Sequence, residues 1–149
     1  MTTTTGNAPT FIIGYDGSEA ARRALNFSID RAKARNGHVH VVCVLEWSPF
    51  SFLTQEELAE RSKVRKTEAN RAEKFLAPVL KELADQGVSA SSEVRFGHAG
   101  ELLCEIAGQR PGSAIVVGRT GGNTFTNRIL GSLVMTLVQA SPVPVTVVP

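Results

Sequence analysis

Short apolar runs alternate with longer segments of helical periodicity along this chain, and the alternation restricts its possible folds more than any other feature. We predict strands at Phe11 to Tyr15, His38 to Leu45, Val88 to Phe96, Ala114 to Val117 and Val143 to Val148. Apolar residues at helical spacing predict helices at Ser18 to about Asn36, Thr54 to Gln86, Ala99 to Gln109 and Ser132 to Ala140. The order predicts an α/β fold, a single doubly wound domain whose five-stranded parallel sheet has helices on both faces. Pro78 should kink or split the second helix.

The predicted strand order is 3-2-1-4-5, which reverses between the first and fourth strands. Ligands of doubly wound sheets bind beyond the carboxyl ends of the strands, at such a reversal point. The reversal brings the segment Gly14 to Asp16 beside the segment Val117 to Arg119. We therefore expect these two segments to face one cleft.

The segment after the fourth strand is rich in glycine. Its sequence, VVGRTGGNTFTNRILGSL, places Gly118, Gly121, Gly131 and Ser132 in the pattern G-x2-G-x9-G-[ST]. Glycines let backbone N–H groups approach phosphate oxygens, and the N-terminus of the following helix favours an anion. After Glu105 the chain has no acidic residue but keeps Arg110, Arg119 and Arg128, so we expect no local repulsion of a polyphosphate. The alternative is that these glycines only turn the chain and cap the helix.

Composition and charge limit the partners. The chain has 149 residues and a formal net charge of +2, so it lacks the field that drives binding to nucleic acid or to an anionic membrane. Cys43 and Cys104 have no metal-binding spacing, which is typical of reduced thiols and indicates a cytoplasmic protein. We expect residues 1–9 to be a disordered leader and residues 10–149 to form the one domain.

With the opening FIIGYDGS, the glycine pattern resembles the ATP-binding branch of the universal stress protein family, and the order of elements agrees from Phe11 to Pro149. The resemblance implies that the protein binds ATP, or ADP or AMP, together with Mg²⁺. It also implies roles for nine residues. Gly118 would lie at the ribose, and Gly121, Gly131 and Ser132 would hold the phosphates. Asp16 would lie at the adenosine end, Val44 would contact the adenine through its backbone, Val117 and Leu133 would form an apolar wall, and Gly14 would lie at the purine edge. Many members have proline at that last position, so we expect a looser fit here.

Three functions stay open at this point. The first is a nucleotide-binding regulatory protein with at most slow hydrolysis, and we favour it because the glycine segment offers no carboxylate to position water. The second is a slow ATPase or phosphotransferase in which Asp16 carries magnesium through water. The third is an interaction module that holds no nucleotide. The apolar segment PVPVTVVP at the predicted sheet edge, like the family resemblance, indicates a homodimer through the last strand.

Other residues have two interpretations each. Asp16 could instead help to cap the first helix. His38 and His40 share a strand face, but a third ligand at a recognisable spacing is missing, so we expect structural roles rather than a metal site. The basic run RSKVRKTEANRAEK is interrupted by acidic residues, as in a solvated helix face. The aromatic residues Trp47, Phe50 and Phe52 form either a lid over the adenine or a staple onto the second helix.

Overall fold

One parallel sheet organises the protein in the computed structural model, which describes residues 8–46, 54–119 and 131–149. Its strands are β1 (Thr10–Gly14), β2 (His38–Leu45), β3 (Ser89–Phe96), β4 (Ser113–Gly118) and β5 (Val145–Val148), in the order β3-β2-β1-β4-β5. The helices in the described ranges are α1 (Glu19–Arg35), α2 (Gln55–Asp85), α3 (Ala99–Gly108) and α4 (Ser132–Ala140). The predicted fold class and strand order are confirmed.

The sheet divides the apolar core into two layers. Ile12 and Ile13 are neighbours on β1 and both fully buried, but Ile13 packs with α1 and α2, whereas Ile12 packs with α3 and α4. Because side chains alternate across a strand, a strand covered on both faces needs a continuous apolar run. The run FIIG in β1, the central strand of the sheet, meets this requirement.

Local capping chemistry sets the helix starts that follow strands. The Ser18 side chain accepts a hydrogen bond from the Ala21 N–H at 3.1 Å and caps α1. At the start of α2, Thr54 and Glu57 form a reciprocal capping box. These two helices therefore begin at residues that can be recognised in the sequence, whereas α3 and α4 have no side-chain cap.

The second helix differs at Pro78 from one of its two predicted outcomes, the split, whereas the kink stays a prediction. It continues through this residue from Gln55 to Asp85 and is not split. Proline deprives the carbonyl four residues earlier of its donor, here that of Lys74. Both Lys74 and Pro78 are exposed, so water can bind the freed carbonyl and the helix can continue.

Two further properties follow from the helices and the cysteines. Among the residues described, no helix has both the length and the apolar character needed to cross a membrane. Both cysteines are free thiols, and burial raises the pKa of each. They are consequently poor nucleophiles at neutral pH.

Candidate functional site

A cavity of about 460 Å³ opens at the carboxyl ends of β1, β2 and β4, where the strand order reverses. β1 and β4 are neighbours, but their helices leave the sheet on opposite faces, and a crevice remains between them. Eight of the nine predicted residues line it, namely Gly14, Asp16, Val44, Val117, Gly118, Gly131, Ser132 and Leu133. The ninth, Gly121, lies outside the described residues.

Close packing against α1 explains the glycine at position 118. A Cβ atom there would lie 2.0 Å from the carbonyl oxygen of Ala20 and 2.5 Å from its carbonyl carbon. A side chain at this position would therefore force the first turn of α1 away from β4. The contact with the ribose that the resemblance implies remains a prediction, whereas the packing requirement follows from the geometry.

Residue 119, where the glycine segment leaves β4, is held from both sides. The Arg119 N–H donates to the Val148 carbonyl at 2.8 Å, and its own carbonyl accepts a hydrogen bond from the Arg23 guanidinium at 2.6 Å. The glycine segment therefore starts from a fixed point between α1 and β5.

The N-terminus of α4 forms the opposite wall of the cavity. Gly131 is the N-cap and, having no side chain, provides no capping hydrogen bond. The backbone N–H groups of the first turn are thus left to a ligand or to water. Ser132 and Leu133 line the cavity at this turn, so it offers both an anion site and an apolar surface.

The turn after β1 has both structural and cavity-lining roles. Asp16 lines the cavity, and its Oδ1 also accepts a hydrogen bond from the Ser18 N–H at 2.9 Å, so the alternative capping interpretation holds as well. Tyr15 lines the cavity and stacks on Phe75 of α2, with the ring centroids 5.6 Å apart. The Asp16 charge adds to burial in raising the pKa of Cys43.

Glu46 changes the expected electrostatics of the cavity. It follows β2 and lines the cavity together with Asp16, so two carboxylates face the space, whereas no lysine or arginine is among the described lining residues. The expectation that a polyphosphate meets no repulsion is therefore wrong for the cavity as a whole. It considered only the residues after Glu105 and left out Asp16, which was itself expected in the cleft, and Glu46, which directly follows β2.

Sequence reasoning missed several lining residues besides Glu46. They come from the start of α1, the middle of β2 and α3, and they are Ser18, Ala20, Ala21, Val42, Ala99 and Leu103. The signal for the α3 residues was available, because α3 starts directly after β3 at the same edge of the sheet. Leu103 lies 3.4 Å from where a Cβ of Gly14 would stand, so α3 closes the cavity above β1.

The remaining candidates lie away from this cavity. His38 and His40 bond to serine hydroxyls and a carboxylate of β3, and within the described ranges no group of three potential ligands could hold a metal ion. The basic run on α2 is mostly exposed, though Arg65 stacks over the Phe96 ring at 5.2 Å. Trp47, Phe50 and Phe52 lie outside the described residues, so lid and staple both remain predictions.

This fold defines a doubly wound α/β domain with a cavity where its strand order reverses. The sequence model of the universal stress protein family matches residues 9–149, and the chain belongs to that family. A universal stress protein of Methanocaldococcus jannaschii is 30% identical over 138 residues, which cover 92% of this chain and 79% of that protein.

Solved structures of the family share the fold. A universal stress protein UspA from Lactobacillus plantarum superposes with a TM-score of 0.77 at 22% identity, covering 95% of this chain and 97% of that one. The universal stress protein from Archaeoglobus fulgidus in complex with dAMP gives a TM-score of 0.62 at 18% identity, covering 95% and 98% of the two chains. At such identities the likeness concerns the fold alone.

Proposed function

We propose that this universal stress protein is a cytoplasmic regulatory protein that binds ATP in the cavity between β1 and β4. The observation that carries the proposal is the cavity itself: the uncapped N-terminus of α4 meets apolar walls from Val44, Val117 and Leu133 in one space. A nucleotide needs both surfaces, an anion site for its phosphates and an apolar slot for its base. The dAMP complex of the Archaeoglobus fulgidus family member supports an adenine nucleotide as the ligand.

The carboxylates of Asp16 and Glu46 support a requirement for Mg²⁺. ATP carries about four negative charges at neutral pH, and its approach to two carboxylates costs free energy unless a cation screens them. Oxygen ligands suit Mg²⁺, which is usually held by one or two carboxylates together with substrate phosphates. The described residues bring no third acidic ligand to this site, so the nucleotide would supply the remaining oxygens.

The same residues support slow hydrolysis at most. Catalysis of phosphoryl transfer requires a group that positions water and cations that stabilise charge at the γ-phosphate. Among the described lining residues only Asp16 and Glu46 offer a carboxylate that could act as a base toward water, and none of them is a lysine or an arginine. The second candidate, a slow ATPase or phosphotransferase, depends on Asp16 holding magnesium through water.

Identification of the bound nucleotide separates these functions. Protein purified without added nucleotide is denatured, and the released small molecules are identified by mass spectrometry. We expect ATP, ADP or AMP in amounts comparable to the protein, and turnover of labelled ATP then separates the regulator from the slow enzyme. If the protein releases no nucleotide and binds none that is added, the result supports the nucleotide-free interaction module.

We also propose a homodimer through β5, the edge strand next to β4. Val145 and Val147 pack toward α3 and α4, and Val148 packs toward α1, but the outer backbone edge of β5 has no partner within the described chain. Apolar edge strands pair readily, and Pro144 restricts a longer ladder. A two-fold contact would bury this edge.

Light scattering tests the dimer. We expect a dimer mass for the intact chain and a monomer mass after deletion of Thr146 to Pro149. Because β5 also contributes to the core, Thr146→Lys is a milder second variant that places a charge at the edge, and circular dichroism verifies its fold. A monomeric parent refutes the dimer, and a dimer that survives both changes places the interface elsewhere.

A further inference from the structure

Five polar side chains form a hydrogen-bonded chain across β2 and β3, outside the cavity. The successive contacts are Ser89 Oγ to His38 Nδ1 at 2.7 Å, His38 Nε2 to Ser91 Oγ at 2.7 Å, Ser91 Oγ to His40 Nδ1 at 2.6 Å, and His40 Nε2 to Glu93 Oε1 at 2.8 Å. The parallel pairing explains the sequence of contacts, since it places His38 beside Ser89 and His40 beside Ser91. None of the five side chains lines the cavity.

With the carboxylate ionised and both imidazoles neutral, only one set of hydrogen-bond directions satisfies this chain. An ionised Glu93 can only accept, so His40 donates from Nε2 and, as a neutral imidazole, presents a lone pair at Nδ1. Ser91 must then donate its hydroxyl proton to that lone pair. Its oxygen accepts in turn from His38 Nε2–H, whose Nδ1 accepts from Ser89.

Ser91, His40 and Glu93 therefore stand as nucleophile, base and orienting acid. A hydroxyl is activated as a nucleophile when a base lies within hydrogen-bond reach and a third group orients that base. The His40 side chain is only 3% exposed, which holds the imidazole in place, whereas Ser91 is half-buried on the edge strand β3. The neighbouring Ser89 is exposed on the same face of β3, so a small molecule can approach Ser91 from that side.

We propose that Ser91 is a nucleophile that takes the acyl group of small activated carboxylic esters, with His40 as its general base. Ser91 Oγ attacks the carbonyl carbon while its proton moves to His40 Nδ1. The bond to the alcohol oxygen breaks, and that oxygen takes the proton from Nδ1. Water then gives a proton to Nδ1 and attacks the acyl carbon, and Ser91 leaves with that proton, so that ester and water become acid and alcohol.

The surroundings support negative charge at this site. An edge strand leaves the N–H groups on its outer side unused by the sheet, and one of them lies within one residue of Ser91. Such a group can donate to the oxyanion of the tetrahedral intermediate. The Arg110 guanidinium lies 3.5 Å from His40 Nε2, and its positive charge opposes protonation of the imidazole, which the Glu93 carboxylate at the same nitrogen offsets.

Labelling of the intact chain tests the proposal. The protein is treated with a fluorophosphonate probe and, separately, with p-nitrophenyl acetate, and peptide mass spectrometry locates the adduct. We expect labelling at Ser91 and none at Ser92, which lies on the opposite face of the same strand and is the internal control. Ser91→Ala should abolish the adduct, Glu93→Gln should slow its formation by on the order of 10²-fold, and Ser92→Ala should leave it unchanged.

Replacement of the buried His40 could unfold the protein, so Glu93→Gln, a change at a half-exposed site, carries the comparison. Circular dichroism verifies the fold of each variant. An adduct on Ser91 that forms equally fast in Glu93→Gln, equal labelling of Ser91 and Ser92, or no adduct on Ser91 in the folded parent overturns the proposal.

Discussion

Replacement of Gly118 by alanine should destabilise the protein strongly, although it adds only one methyl group. The new Cβ would stand 2.0 Å from the Ala20 carbonyl oxygen, against about 3.5 Å for a relaxed contact. β4 and the first turn of α1 would thus have to separate by roughly 1.5 Å. The clashing atoms belong to the backbone of a helix and cannot rotate away.

The expected loss follows from this geometry. Overpacking of a core typically costs about 1–3 kcal/mol, and a backbone clash belongs at the upper end, about 3 kcal/mol. For a chain of this length each kcal/mol lowers Tm by roughly 2–4 °C, so Gly118→Ala should lower Tm by roughly 6–12 °C. Thermal unfolding followed by circular dichroism measures this shift, and urea unfolding gives the free energy independently.

Gly14→Ala is the matched control, because Gly14 also ends a central strand and lines the same cavity. Its Cβ would meet Leu103 Cδ1 at 3.4 Å, an ordinary contact. We expect its unfolding free energy to stay within about 1 kcal/mol of the parent. If Gly118→Ala is no less stable than Gly14→Ala, the close approach of α1 to β4 is wrong.

Three further predictions concern charge. Glu46→Gln removes one of the two cavity carboxylates and should strengthen the binding of Mg²⁺-free ATP by roughly two- to fivefold, measured by calorimetry in a chelator. Burial, together with the charges of His40 and Arg110, lowers the pKa of His38 in the folded protein. The unfolded chain therefore binds more protons, so the contribution of His38 to stability is full above about pH 6.5 and falls as the pH drops below that value. Urea unfolding across this pH range should show a shallower loss of unfolding free energy for His38→Asn than for the parent. The hydrogen bond from Arg22 lowers the pKa of Glu82. This half-exposed pair therefore stabilises the fold above the ordinary carboxyl pKa and loses its contribution as the pH falls below it. A double-mutant cycle with Arg22→Ala and Glu82→Gln should give a coupling free energy of about 1 kcal/mol or less.

The fold could be predicted because its signals are local and repeated. Four strands contain short apolar runs, β3 alternates between its two faces, each predicted helix carries its own periodicity, and parallel connections leave few topologies. The start of β5 was predicted too early, at Val143. Ser141 Oγ holds Val143 in a turn by bonding both its N–H and its carbonyl, and Pro144 has no N–H to donate, so the strand begins at Val145.

The candidate site could be predicted only where its residues lie on the strand ends or the glycine segment. Glu46 directly follows β2, and α3 starts soon after β3 at the same edge, so a signal existed for Glu46 and Leu103, but neither residue belongs to the glycine pattern on which the prediction rested. Gly118 matched a ligand-binding pattern, yet its contact with the Ala20 carbonyl is a packing demand that depends on how α1 crosses β4. Distances between elements of this kind are not encoded in local spacing.

Calorimetric titration of ATP with Mg²⁺ is the most direct test of the central claim. The comparison is between the parent and Gly131→Val, since Gly131 has an ordinary φ of −55° that a valine can adopt without unfolding the helix start. The account predicts saturable binding to the parent and at least roughly tenfold weaker binding to the folded variant, a loss of about 1.4 kcal/mol. No heat from the folded parent at millimolar ATP, or equal affinity of parent and variant, would contradict it.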